Sequence, residues 1–146
     1  MPSPATRTDP FRAFNFRVEI DGLTVGAFRE VTGLGADGNV VEYREGTDFT
    51  RSTRKLPGLQ TYPNITMKRG YTANRELWDW YRNIANGLPD RRNGSIILMD
   101  EARNDVMRWD FENAWIKKIE GPSFNAAQNE VAIESIELVH EGVTLA

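Results

Sequence analysis

The sequence predicts a mainly β chain of α+β class: an antiparallel β-sandwich or barrel-like subunit with one flanking α-helix. Short segments alternate apolar and polar residues with a period of two, as in Phe14, Phe16, Val18 and Ile20 against Asn15, Arg17 and Glu19. Dense turn chemistry punctuates them, for instance Asp21-Gly22 and Gly87-Leu-Pro-Asp-Arg-Arg-Asn-Gly94. Only one stretch, about Thr72 to Asn86, carries a helical stripe, through Leu77, Trp78, Tyr81, Ile84, Ala85 and Leu88. One helix between two blocks of strands suggests a plug lying on a sheet or across the mouth of a barrel.

At 146 residues the chain reads as a single domain over 1–146, able to hold a core without staples. It has no cysteine, so disulfides and thiolate metal sites are excluded. A formal net charge of -3 argues against a protein built to coat duplex DNA. No apolar run approaches the roughly 20 residues that span a bilayer, so direct membrane insertion is not expected. Residues 1–10 are proline-rich, lack periodicity and lack the apolar core of a signal peptide. They read as a flexible arm on a chain made in the cytoplasm without Sec export.

In chain order, Phe14 to Ile20 reads as a half-buried strand, and Asp21-Gly22 as the turn of a hairpin with a second strand through Leu23, Val25, Ala27 and Val31. Gly33-Leu-Gly-Ala-Asp-Gly38 fits the glycine spacing of a dinucleotide loop, but that chemistry needs a helix N-terminus next. The next segment, Asn39 to Glu45, is an alternating strand, so the glycines read as a loop joining two strands. From Gly46 to Pro63 the periodicity vanishes, predicting a long loop. It is locally basic through Arg51, Arg54 and Lys55, yet carries Phe49, Leu56, Leu59 and Tyr62, which a plain linker does not need. Ordering it costs about 1–2 kcal/mol per residue in backbone entropy, so packing on a partner would have to offset that. The bland alternative is a loose surface loop.

Asn64 to Tyr71 reads as a short strand feeding the helix, which Thr72 or Asn74 can cap and Gly87 can end in a left-handed conformation. Ser95 to Met99 suits a strand covered on both faces. A long strand then sets Met107, Trp109, Phe111 and Trp115 on one side and Arg108, Asp110 and Glu112 on the other. In Glu130 to His140, Val131 and Ile133 share one face but Ile136 and Leu138 the other, which predicts either a β-bulge near Ser135 or cover on both faces.

Catalytic and metal chemistry find little support. His140 is the only histidine, so no two-histidine metal site can form within one chain. No serine lies in a nucleophile-elbow pattern, and Asp110 with Glu112 reads as a solvated strand face rather than an acid/base pair. Packing of helix on sheet accounts for Trp78, Trp109 and Trp115, leaving Trp80, off the stripe, as the one tryptophan placed for a surface contact. The stronger clue is edges. Six or seven antiparallel strands of this size do not obviously close a barrel in one subunit, and open edges must be blocked or paired. Amphipathic segments over 23–45 and 95–119 and a partly apolar loop suit a subunit that pairs with copies of itself, closing a larger barrel by cyclic symmetry.

The residues Val41-Glu-Tyr-Arg-Glu-Gly46, Arg54-Lys-Leu-Pro-Gly58, Asn64-Ile-Thr-Met-Lys-Arg-Gly70, Leu77-Trp-Asp-Trp80, Gly94-Ser-Ile-Ile-Leu-Met-Asp100 and Asn129-Glu-Val-Ala-Ile-Glu134 carry a resemblance. From about Asp9 to Glu141 the chain resembles the tail-tube proteins of contractile phages, and especially the inner-tube proteins of related extracellular contractile injection particles. The resemblance implies hexameric rings stacked into a tube inside a sheath, around a lumen for cargo, DNA or a tape-measure protein. It implies further partners in sheath, baseplate and tube-terminating proteins, with no enzymatic activity, no cofactor and no metal.

Carried onto this sequence, the inter-ring contact loop falls on 46–63, with Gly46, Phe49, Arg51, Arg54, Lys55, Leu56, Pro57 and Tyr62. Lumen-lining hairpins fall around Leu23–Glu45 and Ser95–Lys118. Strand alternation then turns Glu42, Arg44, Arg108, Asp110 and Glu112 to the lumen, and 47–53 departs from the family pattern. The assembled protein belongs in a virion tail or a released, extracellular injection particle. Alternatives are a tube–baseplate adaptor or tube-terminating ring of the same particle, and, from another class, a small ligand-binding β-domain or hydrolase using the glycine loop or the aromatics.

Overall fold

A computed structural model describes residues 15–23, 28–46, 53–70, 75–127 and 132–146. Among these, nine strands and one helix occur in order: β1 (Phe16–Ile20), β2 (Phe28–Thr32), β3 (Asp37–Tyr43), β4 (Arg54–Thr61), β5 (Ile65–Gly70), α1 (Glu76–Ala85), β6 (Arg92–Met99), β7 (Asp105–Glu120), β8 (Ile133–Val139) and β9 (Gly142–Leu145). Seven strands form one antiparallel sheet in the order β1-β6-β7-β8-β5-β2, with β9 also on β7, while β3 and β4 pair only with each other. The mainly β, one-helix expectation holds.

The fold turns on β7. Its first part pairs with β6 and β9, and its last part, from Trp115, pairs with β8. One strand therefore belongs to two half-sheets that face each other. Between them, Gly94 pairs with Phe111 and Arg92 with Ala114, so Glu112 and Asn113 together oppose Asn93. This is a β-bulge, with Asn113 in the left-handed region at φ 50. The Asn93 side-chain oxygen accepts the Asn113 backbone N–H at 3.0 Å, and the Asn113 amide donates to Glu141 Oε2 at 2.8 Å. The bulge changes which face is inward: Phe111 is buried, then Ala114 and Ile116. The expected alternation therefore breaks, and Trp115 does not share the inner face with Phe111.

The core lies between the half-sheets, with Val18, Ile20, Ile96 and Phe111 from one and Phe28, Ile65, Met67, Ile116, Ile136 and Leu138 from the other. Gly94 is required where it sits: a Cβ there would collide with the Phe111 ring and the Glu19 carbonyl. Cross-strand partners Phe28, Arg69 and Glu134 bring a buried ion pair into this interior. Arg69 Nε meets Glu134 Oε2 at 3.1 Å, with the Phe28 ring 5.7 Å from the guanidinium carbon.

Helix α1 covers the core against β7. It is shorter than the 72–86 expected; Thr72 and Asn74 lie outside the described residues, and Arg75, at the N-cap position, makes no side-chain cap. Gly87 does end it at φ 81. Its N–H reaches the Ile84 carbonyl and that of Leu88 the Asn83 carbonyl, the paired bonds of a Schellman motif. The tryptophans are exchanged relative to expectation. Trp80 is 0 % exposed and Trp78 37 %, so the inward stripe is Leu77, Trp80, Tyr81 and Ile84. Tertiary bonding decides between two stripes of similar apolar content. Trp80 Nε1 donates to the Asp90 carbonyl at 2.7 Å, and the Arg92 guanidinium lies over the ring at 5.1 Å. Trp109 and Trp115 are half-buried and lie outside the central cluster.

Three further expectations change. Asp21-Gly22 is a turn, with Gly22 at φ 74, but it does not close a hairpin: β1 pairs with β6 and β2 with β5. Likewise β2 and β3 are not paired with each other, whereas β6 and β7 do form the expected hairpin. The 46–63 stretch is no continuous loop, because Arg54–Thr61 is strand β4. On β8, Ile136 and Leu138 are buried while Ile133 is half-buried on the other face. Its register with β5 is unbroken, so no bulge lies at Ser135 in that pairing; the shift against β7 falls between Ile116 and Lys118. Residues 1–10, Phe14, Val25, Ala27 and Val131 lie outside the described residues.

Two sets of substitutions test this architecture. Asn113→Val should destabilise by about 1–2 kcal/mol, since a β-branched residue resists the left-handed region, whereas Asn113→Gly should cost less in chemical denaturation. Trp80→Ala should lose about 3–5 kcal/mol and Trp78→Ala much less; the reverse order would restore the other helical stripe.

Candidate functional site

Two surfaces are candidates for function. Among the described residues no group of three or more His, Asp or Glu side chains is placed to hold a metal. Among them, too, no helix is long and apolar enough to cross a membrane.

The first surface is the β3–β4 hairpin. Val41 pairs with Leu56 and Tyr43 with Arg54, on one face; Val40 pairs with Pro57 and Glu42 with Lys55, on the other. Each face thus combines apolar and charged groups, yet the hairpin joins neither half-sheet. Val40 is 61 % and Leu59 79 % exposed, and Val41, Tyr43 and Leu56 are exposed as well. A two-stranded hairpin alone in water is marginal, so exposed aliphatics on both faces mark a surface that lacks its cover. At its base, His140 Nε2 lies 3.0 Å from the Pro63 carbonyl oxygen, and the Tyr62 and His140 rings are 5.8 Å apart. Gly33, at φ 97, passes so close to the Asn64 backbone that no side chain would fit.

The expected contact residues divide accordingly. Arg54, Lys55, Leu56 and Pro57 stand on exposed β4, and Gly46 is exposed beyond β3. Tyr62 is half-buried at the base against His140. Phe49 and Arg51 lie outside the described residues. Missed by sequence reading was that Val40, Val41 and Tyr43 are on the same hairpin; the alternation of 39–45 was visible, but its pairing with 54–61 was not.

The second surface is the outward face of β1, β6, β7 and β9. Cross-strand partners Glu19, Ser95, Asp110 and Thr144 run across it, next to Arg17, Ile97 and Arg108. The Ser95 hydroxyl donates to Asp110 Oδ1 at 2.6 Å, Arg108 Nε donates to the same oxygen at 2.7 Å, and Arg108 Nη2 donates to Ser95 Oγ at 2.9 Å. The Ser95 hydrogen bond first, and that from Arg108 second, hold the Asp110 carboxyl below the usual aspartate range. Arg17 grips Asp105 with two bonds of 3.0 Å and Glu19 with one of 2.9 Å. Ile97, flanked by Arg17 and Arg108, is buried although it lies outside the central core, as expected where arginine stems cover an apolar residue. An open cleft of about 420 Å³ runs over this face, lined among others by Glu19, Asp21, Asp110 and Glu112.

Arg108, Asp110 and Glu112 therefore share one surface, as the sequence suggested. Glu42 and Arg44 do not join them: Glu42 belongs to the hairpin, opposite Lys55, and Arg44 lies just beyond its strand. One expected lumen residue, Glu42, and one expected contact residue, Lys55, thus lie opposite each other on the same hairpin.

The Asp110 network has a direct test. With its value lowered, the carboxylate should stay ionised through the ordinary aspartate range and the network dissolve only as pH falls through the lowered value. Its carboxyl NMR titration midpoint should sit below that of a free aspartate, and Ser95→Ala should move it upward.

A family described as T4-like virus tail tube protein gp19 matches residues 12–144. No curated protein matches the sequence. Among solved structures, the chain is similar to one from the sheath–tube complex of the extracellular contractile injection system PVC in its extended state. That match has a TM-score of 0.83 and 28 % identity, covering 94 % of this chain and 91 % of that one. A chain of the PVC sheath/tube terminator matches with a TM-score of 0.84 and 28 % identity, over 95 % and 98 % of the two chains. A chain of the tube-terminating cap of the anti-feeding prophage matches with a TM-score of 0.80 and 26 % identity, over 100 % and 99 %. With a mainly β fold of this kind and a family match spanning nearly its whole length, the chain belongs to the T4-like tail tube protein family.

Proposed function

We propose that this chain is the structural subunit of the inner tube of a contractile injection particle. Copies form stacked rings, sixfold as the family resemblance implies, around a lumen that passes cargo or DNA. The supporting observation is the β3–β4 hairpin: exposed aliphatics on both faces and, among the described residues, no pairing with the seven-stranded sheet suit an element that is completed by a neighbouring copy. Burying each such side chain is worth about 1.5–3 kcal/mol, a gain that sets part of the ordering cost of the hairpin against its contact with a neighbour. Gly46, Arg54, Lys55, Leu56 and Pro57 belong to that contact region in this reading, together with Phe49 and Arg51, while Tyr62 braces its base.

The polar face with Arg108, Asp110 and Glu112 is assigned to the lumen. It carries charge, its two central arginines are tied to neighbouring carboxylates, and it has no exposed aliphatic patch to hold a passing chain. The role is structural, without catalysis. The further partners are sheath, baseplate and tube-terminating proteins, and the assembled product is an extracellular or virion-borne particle.

A terminating or adaptor ring of the same particle is the second reading. It is favoured by similarity to the PVC terminator and to the anti-feeding prophage cap, which is close to that shown by the sheath–tube chain. Length of the assembly separates the two, since a terminator stops at one ring and a tube subunit continues.

Asp37 and Thr61 are paired at the hairpin base, so 38–60 can be replaced by a short Asn-Gly turn without cutting the core. The shortened protein should remain a folded monomer by circular dichroism and size-exclusion chromatography but yield no rings or tubes by electron microscopy. Long tubes from it would remove the hairpin from assembly.

A further inference from the structure

We propose that an apolar slot between the free edges of β1 and β2 is the receptor for the β3–β4 hairpin of a neighbouring copy. This rests on the self-assembly reading above and adds where on the partner the hairpin lands. The slot is an open cavity of about 370 Å³ walled by Phe16, Val31, Leu34, Ile96, Leu98 and Trp109. It lies where the seven-stranded sheet fails to close. Among the described residues, β1 hydrogen-bonds on one side only, to β6, and β2 on one side only, to β5. Backbone donors and acceptors without a strand partner among the described residues therefore flank an apolar floor, which is the chemistry a strand-forming segment satisfies and a water-filled groove does not.

The chain's own hairpin does not fill it, since Val40 and Val41 stay exposed. A second copy's hairpin matches it in both polarity and charge. On the slot's rim stand Arg29 and Glu30. Arg29 forms no ion pair with another described residue, and Glu30 is held only at 3.7 Å by the Lys68 ammonium. On one face of the hairpin, Val40 and Pro57 are apolar, while Glu42 and Lys55 lie opposite each other and are both exposed. Docking that face sets Val40 and Pro57 on the apolar floor, Glu42 against Arg29 and Lys55 against Glu30. Opposite charges then meet at the rim, where register and specificity are set. This also gives Glu42 a contact role in place of a lumen role.

The chain is free of cysteine, so single cysteines report contacts without background. Val40→Cys and Leu98→Cys proteins, mixed and oxidised, should give a disulfide-linked dimer far above either protein alone, or Val40→Cys mixed with Phe124→Cys. Phe124 is an exposed residue outside the slot. A yield from the Val40→Cys and Leu98→Cys mixture no higher than from the control mixture or from either protein alone would overturn the slot. Independently, Arg29→Glu and Glu42→Arg should each cut ring and tube yield by about tenfold or more, and the double variant should regain it, with all three folded as monomers. Normal assembly of Arg29→Glu, or no recovery in the double variant, would also overturn the slot. If the hairpin-shortened protein fails to assemble while Arg29→Glu assembles, the hairpin retains its role and only its receptor is wrong. If the shortened protein assembles, the underlying reading of the hairpin fails first.

Discussion

The β-bulge at Glu112 and Asn113 is the constraint on which the fold depends. A straight sixteen-residue strand would hold one inward face along its whole length. Inserting one residue opposite Asn93 lets Phe111 and then Ala114 and Ile116 point to the same interior. Without that switch, the strands on either side of β7 would not enclose a common core. The left-handed Asn113 is held by Asn93 and Glu141, two residues far apart in sequence. Local strain is thus borne by contacts that exist only once β6, β7 and the β8–β9 connection have come together.

Two polar devices close the interior at other points. The Trp80 indole reaches the Asp90 carbonyl, while Arg92 both covers the indole and grips the Asp90 carboxylate through bonds of 3.0 Å. That ties the helix to the start of β6. The buried Arg69–Glu134 pair sits across β5 and β8, and Arg69 Nη2 and Glu134 Oε1 have no hydrogen-bond partner among the described residues. Desolvation of such charges is expensive, so this pair favours register over raw stability. A slip of one residue in β5–β8 would separate two charges in an apolar interior, a cost that every competing alignment carries.

Much of this was legible in the residues. Alternation identified the strand at Phe16–Ile20 and the 95–119 hairpin, the glycine pattern ended the helix at Gly87, and the ordered motifs pointed to tail-tube proteins. Misread features share a cause, which is that partners distant in sequence decide them. Trp78 and Trp80 differ by two positions on a short helix, and the Asp90 carbonyl and Arg92 guanidinium, both beyond the helix, select Trp80. Asp21-Gly22 turns the chain, but β6 and β5 capture the flanking strands instead of letting them pair. Arg54–Thr61 has weak local strand character, with Pro57 and Gly58 in its middle, and becomes a strand through β3. Of the candidate surfaces, Arg108, Asp110 and Glu112 were found by alternation, whereas the slot needs β1, β2, β6 and β7 in place before it exists.

The hairpin's separation from the core has an evolutionary consequence. Substitutions at Val40, Val41, Leu56 or Leu59 scarcely touch the contacts that fold the monomer, so under the proposed assembly they are filtered mainly by what the surface binds. Positions such as Phe111, Gly94 and Asn113 are filtered by folding itself. One chain thereby holds two zones under separate selection, and a lineage can drift toward new binding preferences in one without eroding the other.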